Sequence, residues 1–421
     1  MVSSHLQASQ ALASGIHSIP DTKTAFAATL GAHRFLNNPR VSLPALAEPL
    51  LAAARLEAVQ ACDHYGLVVH DWCQVKFRNQ ESKKDRVPLG RNDGPKGYEL
   101  QSALLVSDRT GSPLAPLVVS LRSEKGVYCS RTMTLRTALS PLDELDPAMS
   151  YIEEQSLGRP LVHIIDAQAD SLDHYRQWSS RPERYFLVRI RDRIVEWAGQ
   201  EQRVSAIRAT LRQQGALRFS RTVLFHGVKA YQWVAESVVR LTRPAQRNRK
   251  KTKDRRRIYG PPLELRLVIS EVRDADGNVL AVWYLLTNLR SEADSATIAL
   301  WYYWRWSIES YFKLLKSAGM NLESWQQQTV AAIARRLLVA SMACVTVWRL
   351  SRSTHPRAER AREVLVRLSG RQMKHGRKFT LPALLAGLWS LLVMLEVLET
   401  YPISELHEFA ALCLPFRSRP P

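Results

Sequence analysis

Apolar residues recur along this chain with two periods, one typical of helices and one typical of strands. Runs with the helical period cover residues 24–36 and 45–61 near the start and 329–350 and 381–398 near the end. Between them, short apolar runs bounded by polar, Gly-containing turns predict strands at 67–71, 75–77, 99–106, 116–121, 160–166 and 185–189. The pattern therefore predicts an α/β fold with helical regions at both ends.

Two of the predicted strands are apolar runs that end in an aspartate, Asp71 in one and Asp166 in the other. A strand buried on both faces forms such a run, and its last residue emerges at the edge of the sheet. An isolated aspartate there is usually a turn former or a helix cap, so neither residue indicates a site by itself. Asp170 begins the next helix and is predicted to be a cap or a supporting group. Strand 185–189 ends in Arg189.

Residues 301–316 contain neither Gly nor Pro and predict one uninterrupted helix. Tyr302, Arg305, Glu309 and Lys316 fall on a single narrow stripe of this helix, beside an apolar stripe that faces the core. Taken alone, Arg305 and Glu309 form an ordinary surface pair four residues apart. The helix nevertheless places a carboxylate among two cations and a phenol at the edge of its buried face.

Asp166 and Glu309 are separated by 143 residues, more than one strand and one helix require. Runs typical of strands at 217–224, 231–241, 263–270 and 279–286 predict a β-rich insertion here. Residues 243–257 include nine Lys or Arg and one Asp, which predicts a solvated loop that could also touch phosphates.

Charge narrows the class of partner. The chain of 421 residues has 59 basic and 39 acidic residues, a net charge of +20, which favours nucleic acid. Ten of these basic residues and two of the acidic ones lie at 349–378, which could be a DNA-binding face or simply a solvated one.

The apolar run 381–395 contains Pro, Gly and Ser and is shorter than the roughly 20 residues that span a bilayer. It is predicted to be a core helix or a dimer contact.

The five scattered cysteines predict neither a disulfide framework nor a zinc site, and they fit a reducing cytosol. The start of the chain has no charged-then-apolar signal pattern, so no export is expected.

The spacing Tyr-x2-Arg-x3-Glu-x6-Lys, formed by Tyr302, Arg305, Glu309 and Lys316, resembles the signature of the insertion-sequence DDE transposases, the family that includes the transposon-five transposase. Asp71 and Asp166 precede it in the expected order. The segment Trp-Tyr-Leu-Leu-Thr at 283–287 is similar to another element of the family. Residues 34–41 are similar to part of the family's amino-terminal DNA-recognition domain, whose opening stretch has no counterpart in this sequence.

The resemblance implies a ribonuclease H-like core in which Asp71, Asp166 and Glu309 are the catalytic residues and bind two Mg²⁺ ions, with Mn²⁺ as a substitute. Asp71 would bridge the ions, and Asp166 and Glu309 would each hold one. The residues expected to contact DNA are Tyr302, Arg305, Lys316, Trp283 and Arg189. Trp283 would stack on a base flipped out beside the cut, although a core position in an ordinary strand is the simpler expectation.

The expected organisation is a shortened helical DNA-recognition domain at 1–60, a ribonuclease H-like core at 61–191 and 292–325, a β-rich insertion at 192–291 and a helical DNA-binding and dimerisation region at 326–421. The implied function is metal-dependent cut-and-paste transposition. The expected partners are double-stranded DNA, as transposon ends and target, and a second copy of the chain on that DNA. No membrane partner is expected, and the predicted location is the cytoplasm of a bacterium, at the nucleoid.

Two alternatives stay open. One is a catalytically silent DNA-binding protein that inhibits transposition. It is favoured by departures from the family's pattern around the two aspartates, at Asp71-Trp72-Cys73 and Asp166-Ala167-Gln168, and by the short amino-terminal region. A structure-selective nuclease with the same core would cut DNA without joining it.

Overall fold

A mixed sheet of 14 strands crosses the protein and carries the aspartates predicted from the sequence near its middle. The computed structural model describes residues 22–77, 80–90, 94–138, 140–248, 255–290 and 292–413. The basic run 243–257 lies partly outside these ranges, as do the first residues of the predicted recognition domain. The protein is therefore a mixed α/β structure with helices at both ends of the chain.

The strands, numbered in chain order, are β1 Gly66–Lys76, β2 Val87–Pro88, β3 Lys96–Ser107, β4 Pro113–Ser123, β5 Gly126–Cys129, β6 Thr132–Arg136, β7 Leu161–Ile165, β8 Tyr185–Ile190, β9 Ile194–Trp197, β10 Gln200–Arg203, β11 Arg218–Phe225, β12 Val228–Leu241, β13 Ala245–Asn248, β14 Arg255–Ile258, β15 Leu263–Arg273 and β16 Val279–Thr287. The helices are α1 Thr22–Asn37, α2 Leu43–Ala61, α3 Leu145–Glu153, α4 Leu172–Ser179, α5 Val204–Gln213, α6 Ser295–Trp304, α7 Ser307–Leu315, α8 Val330–Arg352, α9 Pro356–Leu368, α10 Leu381–Thr400 and α11 Ile403–Cys413.

Strand order in the large sheet is β10-β9-β12-β15-β16-β8-β7-β1-β3-β4-β5-β6, with β11 on β12 and β2 on β3. The pairs β1/β7 and β7/β8 are parallel. On the other side of β1, β3 is antiparallel to β1 and β4 is antiparallel to β3. The strands predicted in the insertion are confirmed, and they extend the central sheet because β16 pairs with β8. The stretch between β8 and β11 also holds β9, β10 and α5, which the apolar pattern did not indicate.

Helices cover the sheet on both faces. Successive residues of β8 alternate between two hydrophobic clusters, since Leu187 belongs to one and Phe186 and Val188 to the other. The first cluster includes side chains from α2, α6, α7 and α8, and the second includes side chains from α4 and α5. Coverage on both faces explains why the central strands are continuous apolar runs in the sequence.

Two long apolar helices occur in the described part of the chain, and both could cross a membrane by length and composition. In α8, 83% of the most apolar window is buried inside the protein, as in the core helix of a soluble protein. In α10 the corresponding share is 22%, and its buried residues pack mainly on α9.

One prediction about local structure is wrong: residues 301–316 form two helices. Helix α6 ends at Trp304, α7 begins at Ser307, and Lys316 follows the end of α7. At the junction, the Ile308 and Glu309 amides donate to carbonyls three residues back, a tighter turn than the α-helical one. Tertiary contacts that local periodicity does not reveal accompany the break. The Ser307 hydroxyl donates to the Gly111 carbonyl (2.8 Å), and the ring of Trp304 leaves no room for a side chain at Gly111.

Candidate functional site

Asp71 and Asp166 leave neighbouring parallel strands at the same level. In the register of β1 and β7, His70 lies beside Ile165, so the two aspartates come next on adjacent chains. Strand β7 ends there, and Asp166 caps the short turn that follows by accepting from the Gln168 amide at 2.8 Å. Strand β1 continues along β3 to Lys76, so the predicted end of a strand at Asp71 is wrong. Asp71 nevertheless has a neighbouring strand on one side only, because the pairing with β7 ends at His70 and only β3 continues beside it.

Arg305, at the junction of α6 and α7, joins the first aspartate to the predicted glutamate. One terminal nitrogen of its guanidinium lies 2.6 Å from the Asp71 carboxylate, and the other lies 3.3 Å from Glu309. The Arg305 side chain is 7% exposed and that of Glu309 is 45% exposed. The break in the helix therefore places a buried cation between two of the three predicted metal ligands.

The three carboxylates line one cleft of about 1050 Å³, together with Arg305 and Lys316. Lys316 donates to the Gln74 carbonyl (2.7 Å) and pairs with Glu323 (3.1 Å), which also accepts from the Lys76 amide. The other residues along the cleft are Trp72, Cys73, Lys76, Gln80, Phe312, Lys313, Ser317, Asn321, Glu323 and Ser324. Glu323, which lies in a short turn 14 residues after Glu309, was not predicted as part of the site.

Burial and mutual repulsion act on the carboxylates of the cleft. Burial raises the pKa of Asp71. The charge of Arg305 and the hydrogen bond from the Trp72 amide oppose this rise, and the charge of Asp166 adds to it. Burial also raises the pKa of Glu309, with Arg305 opposing and Asp71 adding. Asp71 therefore experiences the charge of both other carboxylates. A divalent cation would relieve this repulsion.

The donor set matches that of a magnesium or manganese site, since both ions prefer carboxylate oxygens. Within the part of the chain that the structure describes, however, no three His, Cys, Asp or Glu side chains are grouped closely enough to hold an ion. Asp71 is engaged by Arg305, and Asp166 by the turn that it caps. The residues fit such an ion by chemistry, whereas the Arg305 guanidinium contacts both Asp71 and Glu309 in this structure.

Three of the predicted DNA-contacting residues, Tyr302, Trp283 and Arg189, lie behind the cleft and do not line it. Tyr302 is 1% exposed, and its hydroxyl makes no hydrogen bond of normal geometry. Burial raises the pKa of Tyr302, while the nearby charges of Arg305 and Arg189 oppose the rise. Trp283 lies on β16 opposite Ser270, is 7% exposed, and its ring centroid is 6.0 Å from that of Tyr302. Stacking of Trp283 on a base stays a prediction and requires the ring to leave this core position.

A buried polar network behind the two aspartates was not predicted. His70 and His163 contact each other through ring nitrogens 2.8 Å apart, between β1 and β7. His163 lies 3.3 Å from Glu153, which forms two hydrogen bonds of 2.7 Å with Arg184. Arg184 also pairs with Asp146 at 2.5 Å. The available sequence signal was one histidine in each of two otherwise apolar strands.

Burial lowers the pKa of His70 well below its usual value, and the charges of His163 and Arg184 lower it further. Burial also lowers the pKa of His163, although Glu153 opposes this. For Glu153 itself burial acts upward, but hydrogen bonds from His163 and Arg184 prevail and lower its pKa to about 2. The two histidines are therefore neutral and Glu153 is charged near pH 7.

Asp170 supports the turn after Asp166 and does not line the cleft. Its carboxylate accepts from the Tyr175 hydroxyl (3.0 Å) and the Arg191 amide (3.0 Å), and it pairs with Arg193 at 2.6 Å. Ser171, the next residue, is the cap of α4.

No model of a known protein family matches the chain, and no curated protein sequence matches it either.

Proposed function

We propose that the chain is a DNA strand-transferase of the DDE type, a cut-and-paste transposase, with Asp71, Asp166 and Glu309 as its metal-binding residues. The proposal depends mainly on one observation: these carboxylates come from three distant parts of the sequence and line a single cleft with Arg305 and Lys316. The net charge of +20 is consistent with a polyanionic substrate.

The order of the central strands also supports the proposal. Strands β4, β3 and β1 form an antiparallel meander, and β7 and β8 follow in parallel on the other side of β1. This arrangement is the one expected of the ribonuclease H-like core that the sequence resemblance implies, with acidic residues at the positions of Asp71 and Asp166. Strands from 192–291 would then be an insertion that enlarges the sheet.

In the proposed reaction, Asp71, Asp166 and Glu309 would hold two divalent ions. Such ions would supply activation of a water or a 3′-hydroxyl on one side of the scissile phosphate and stabilisation of the leaving oxygen on the other. Arg305, once released from Asp71 and Glu309, would be available to bind a phosphate oxygen next to them. Lys316, fixed between Gln74 and Glu323, would supply a positioned charge in the same cleft. Each strand break would leave a 3′-hydroxyl that can attack the target.

A catalytically silent DNA-binding protein is the second candidate, and a specific contact favours it. Arg305 pairs with both Asp71 and Glu309, so it offsets one of the two negative charges that would otherwise attract a metal. If this contact persists in the presence of DNA and Mg²⁺, the chain would bind transposon ends without cutting them.

The two candidates differ in an assay with purified protein, the DNA that flanks its gene and Mg²⁺. The proposal predicts strand breaks that leave 3′-hydroxyl ends, followed by joining of those ends to a second DNA. Binding without breaks would support the silent candidate, and breaks without joining would indicate a nuclease. Glu309→Gln is the matched control and should bind DNA without cutting it.

A further inference from the structure

One face of the β11–β12 hairpin is partly exposed and carries a group of aromatic rings, of which Trp233 also packs against the second hydrophobic cluster. Phe219 pairs with Trp233 across the hairpin, and Tyr231 lies two residues from Trp233 on the same face. The Phe219 ring is 6.3 Å from the ring of Tyr231 and 6.0 Å from that of Trp233, centroid to centroid. Phe219 is 53% exposed, and Tyr231 and Trp233 are half-buried. The other face of the hairpin is in the core, since Val223 and Ala230 are buried.

Basic side chains lie over these rings. The ammonium of Lys229 is 5.7 Å from the centre of the Tyr231 ring, and the guanidinium of Arg273 is 4.7 Å from that of Trp233. We call Phe219, Tyr231, Trp233, Lys229 and Arg273 the aromatic face.

Carboxylates near the aromatic face are already engaged. Glu271 is fully buried between Arg208 (2.5 Å) and Arg273 (2.6 Å), so the two arginines exceed it by one charge. The Asp274 carboxylate accepts from the Asp276 and Asn278 amides of its own turn. The Lys229 ammonium and the excess charge of the two arginines therefore lie beside the exposed rings, whereas the negative charge of Asp274 is held within its own turn. Charged groups next to the rings disfavour an ordinary apolar protein contact.

We propose that the aromatic face binds single-stranded DNA, with one base stacked on Phe219 and the adjoining phosphates beside Lys229 and Arg273. Aromatic rings on a sheet with cations around them suit unpaired bases, because every base has a flat face and every nucleotide has a phosphate. In a duplex the bases stack on each other and do not present these faces. The choice of DNA over RNA rests on the proposed function, whereas the stacking does not depend on the cleft.

The test compares binding of three labelled probes to the full chain without metal: an oligothymidylate of about 20 nucleotides, a duplex of the same length, and an oligomer of the same length without bases. Phe219→Ser should weaken oligothymidylate binding at least about fivefold, the lower end of the effect of one stacked base. Binding of the base-free oligomer and of the duplex should change by less than about twofold, since their contacts are with phosphates. Phe219→Tyr keeps a flat ring and should retain wild-type affinity.

Val238→Ser is the matched control because Val238, on β12, is also an exposed apolar residue, 57% exposed, and lies outside the aromatic face. It should leave all three affinities unchanged. Lys229→Gln should weaken binding of both single-stranded probes, with Lys125→Gln as its exposed control.

Equal losses on all three probes, or no loss on oligothymidylate, would overturn the proposal. Tighter binding of oligouridylate than of oligothymidylate would overturn the assignment to DNA. A change in oligomeric state caused by Phe219→Ser, with oligothymidylate binding intact, would assign the aromatic face to protein contact instead. None of these outcomes bears on metal-dependent cleavage, so the proposed function can fail or hold separately.

Discussion

The residues predicted from the sequence to form the site fall into two groups that meet at Arg305. The cleft group, Asp71, Asp166, Glu309 and Lys316, lines the open cavity. The buried group, Tyr302, Trp283 and Arg189, lies in the layer behind it, with Tyr302 and Trp283 almost fully buried. Arg305 lines the cleft and is also within 5.9 Å of the Tyr302 ring. The Tyr-Arg-Glu-Lys signature therefore combines three residues that line the cleft with one, Tyr302, that is buried behind it.

Replacing a carboxylate of the cleft group should have the largest effect. We expect Asp71→Asn, Asp166→Asn and Glu309→Gln each to lower the rate of strand cleavage by about 10³-fold or more, because the metal contributes several kcal/mol to the transition state. DNA affinity should be retained. The measurement is single-turnover cleavage of a labelled transposon end.

The matched control for these variants is Asp173→Asn, an acid on α4 that does not line the cleft. If Asp166→Asn cleaved DNA at the control rate, Asp166 would be only the cap of its turn.

Substitutions in the buried group should lower the free energy of unfolding and should not slow strand cleavage directly. Trp283→Ala should lower the free energy of unfolding by about 3–5 kcal/mol, as expected for a large aromatic side chain removed from a core. Trp283→Phe should cost much less because most of the packing remains. The measurement is denaturant unfolding of both variants.

If Trp283→Ala unfolded like the wild type but cleaved transposon ends slowly, the separation of the two groups would fail at this residue. Trp283 would then act on the DNA as the family resemblance implies.

Arg305 should affect both properties. Arg305→Gln leaves the Asp71 carboxylate, 15% exposed, without its buried partner, and we expect a loss of about 3 kcal/mol of stability in the absence of metal. Mn²⁺ should then raise the melting temperature more in the variant than in the wild type, because the ion replaces the missing positive charge.

The control for Arg305→Gln is Arg349→Gln, which removes an arginine that is 51% exposed and paired with Glu57. This substitution should lower the free energy of unfolding by less than about 1 kcal/mol. An equal Mn²⁺ effect in Arg305→Gln and wild type would show that Arg305 does not compete with the metal.

The histidine network behind the aspartates predicts an effect on stability that depends on pH. The pKa values of His70 and His163 are lowered in the folded protein, so the unfolded chain binds more protons below about pH 6.5. Stability from these groups is therefore intact above that pH and is lost as the pH falls, by about 1.4 kcal/mol per pH unit for each histidine.

Denaturant unfolding between about pH 7 and about pH 5 measures this slope. His163→Gln should reduce its steepness relative to the wild type. A variant with an unchanged slope would mean that other groups control the acid sensitivity.

The sequence predicted which residues form the site better than it predicted the local structure around them. Asp71, Asp166 and Glu309 were identified from strand ends and a spaced signature, and all three line the cleft. The break at Arg305 was missed because it accompanies an ion pair with Asp71, 234 residues earlier in the chain. Trp283 could not be placed as buried or exposed, since its neighbours are apolar in either case. The extension of β1 beyond Asp71 depends on its pairing with β3, which no local pattern reveals.

The most direct test of the central claim is the location of Mn²⁺ in crystals of the protein grown with that ion. We expect an anomalous difference peak bounded by the carboxylates of Asp71, Asp166 and Glu309, with the Arg305 guanidinium moved away from between Asp71 and Glu309. The Glu309→Gln variant should show a weaker peak or none. Crystals saturated with Mn²⁺ that keep the Arg305 contacts and show no peak among the three carboxylates would contradict the account.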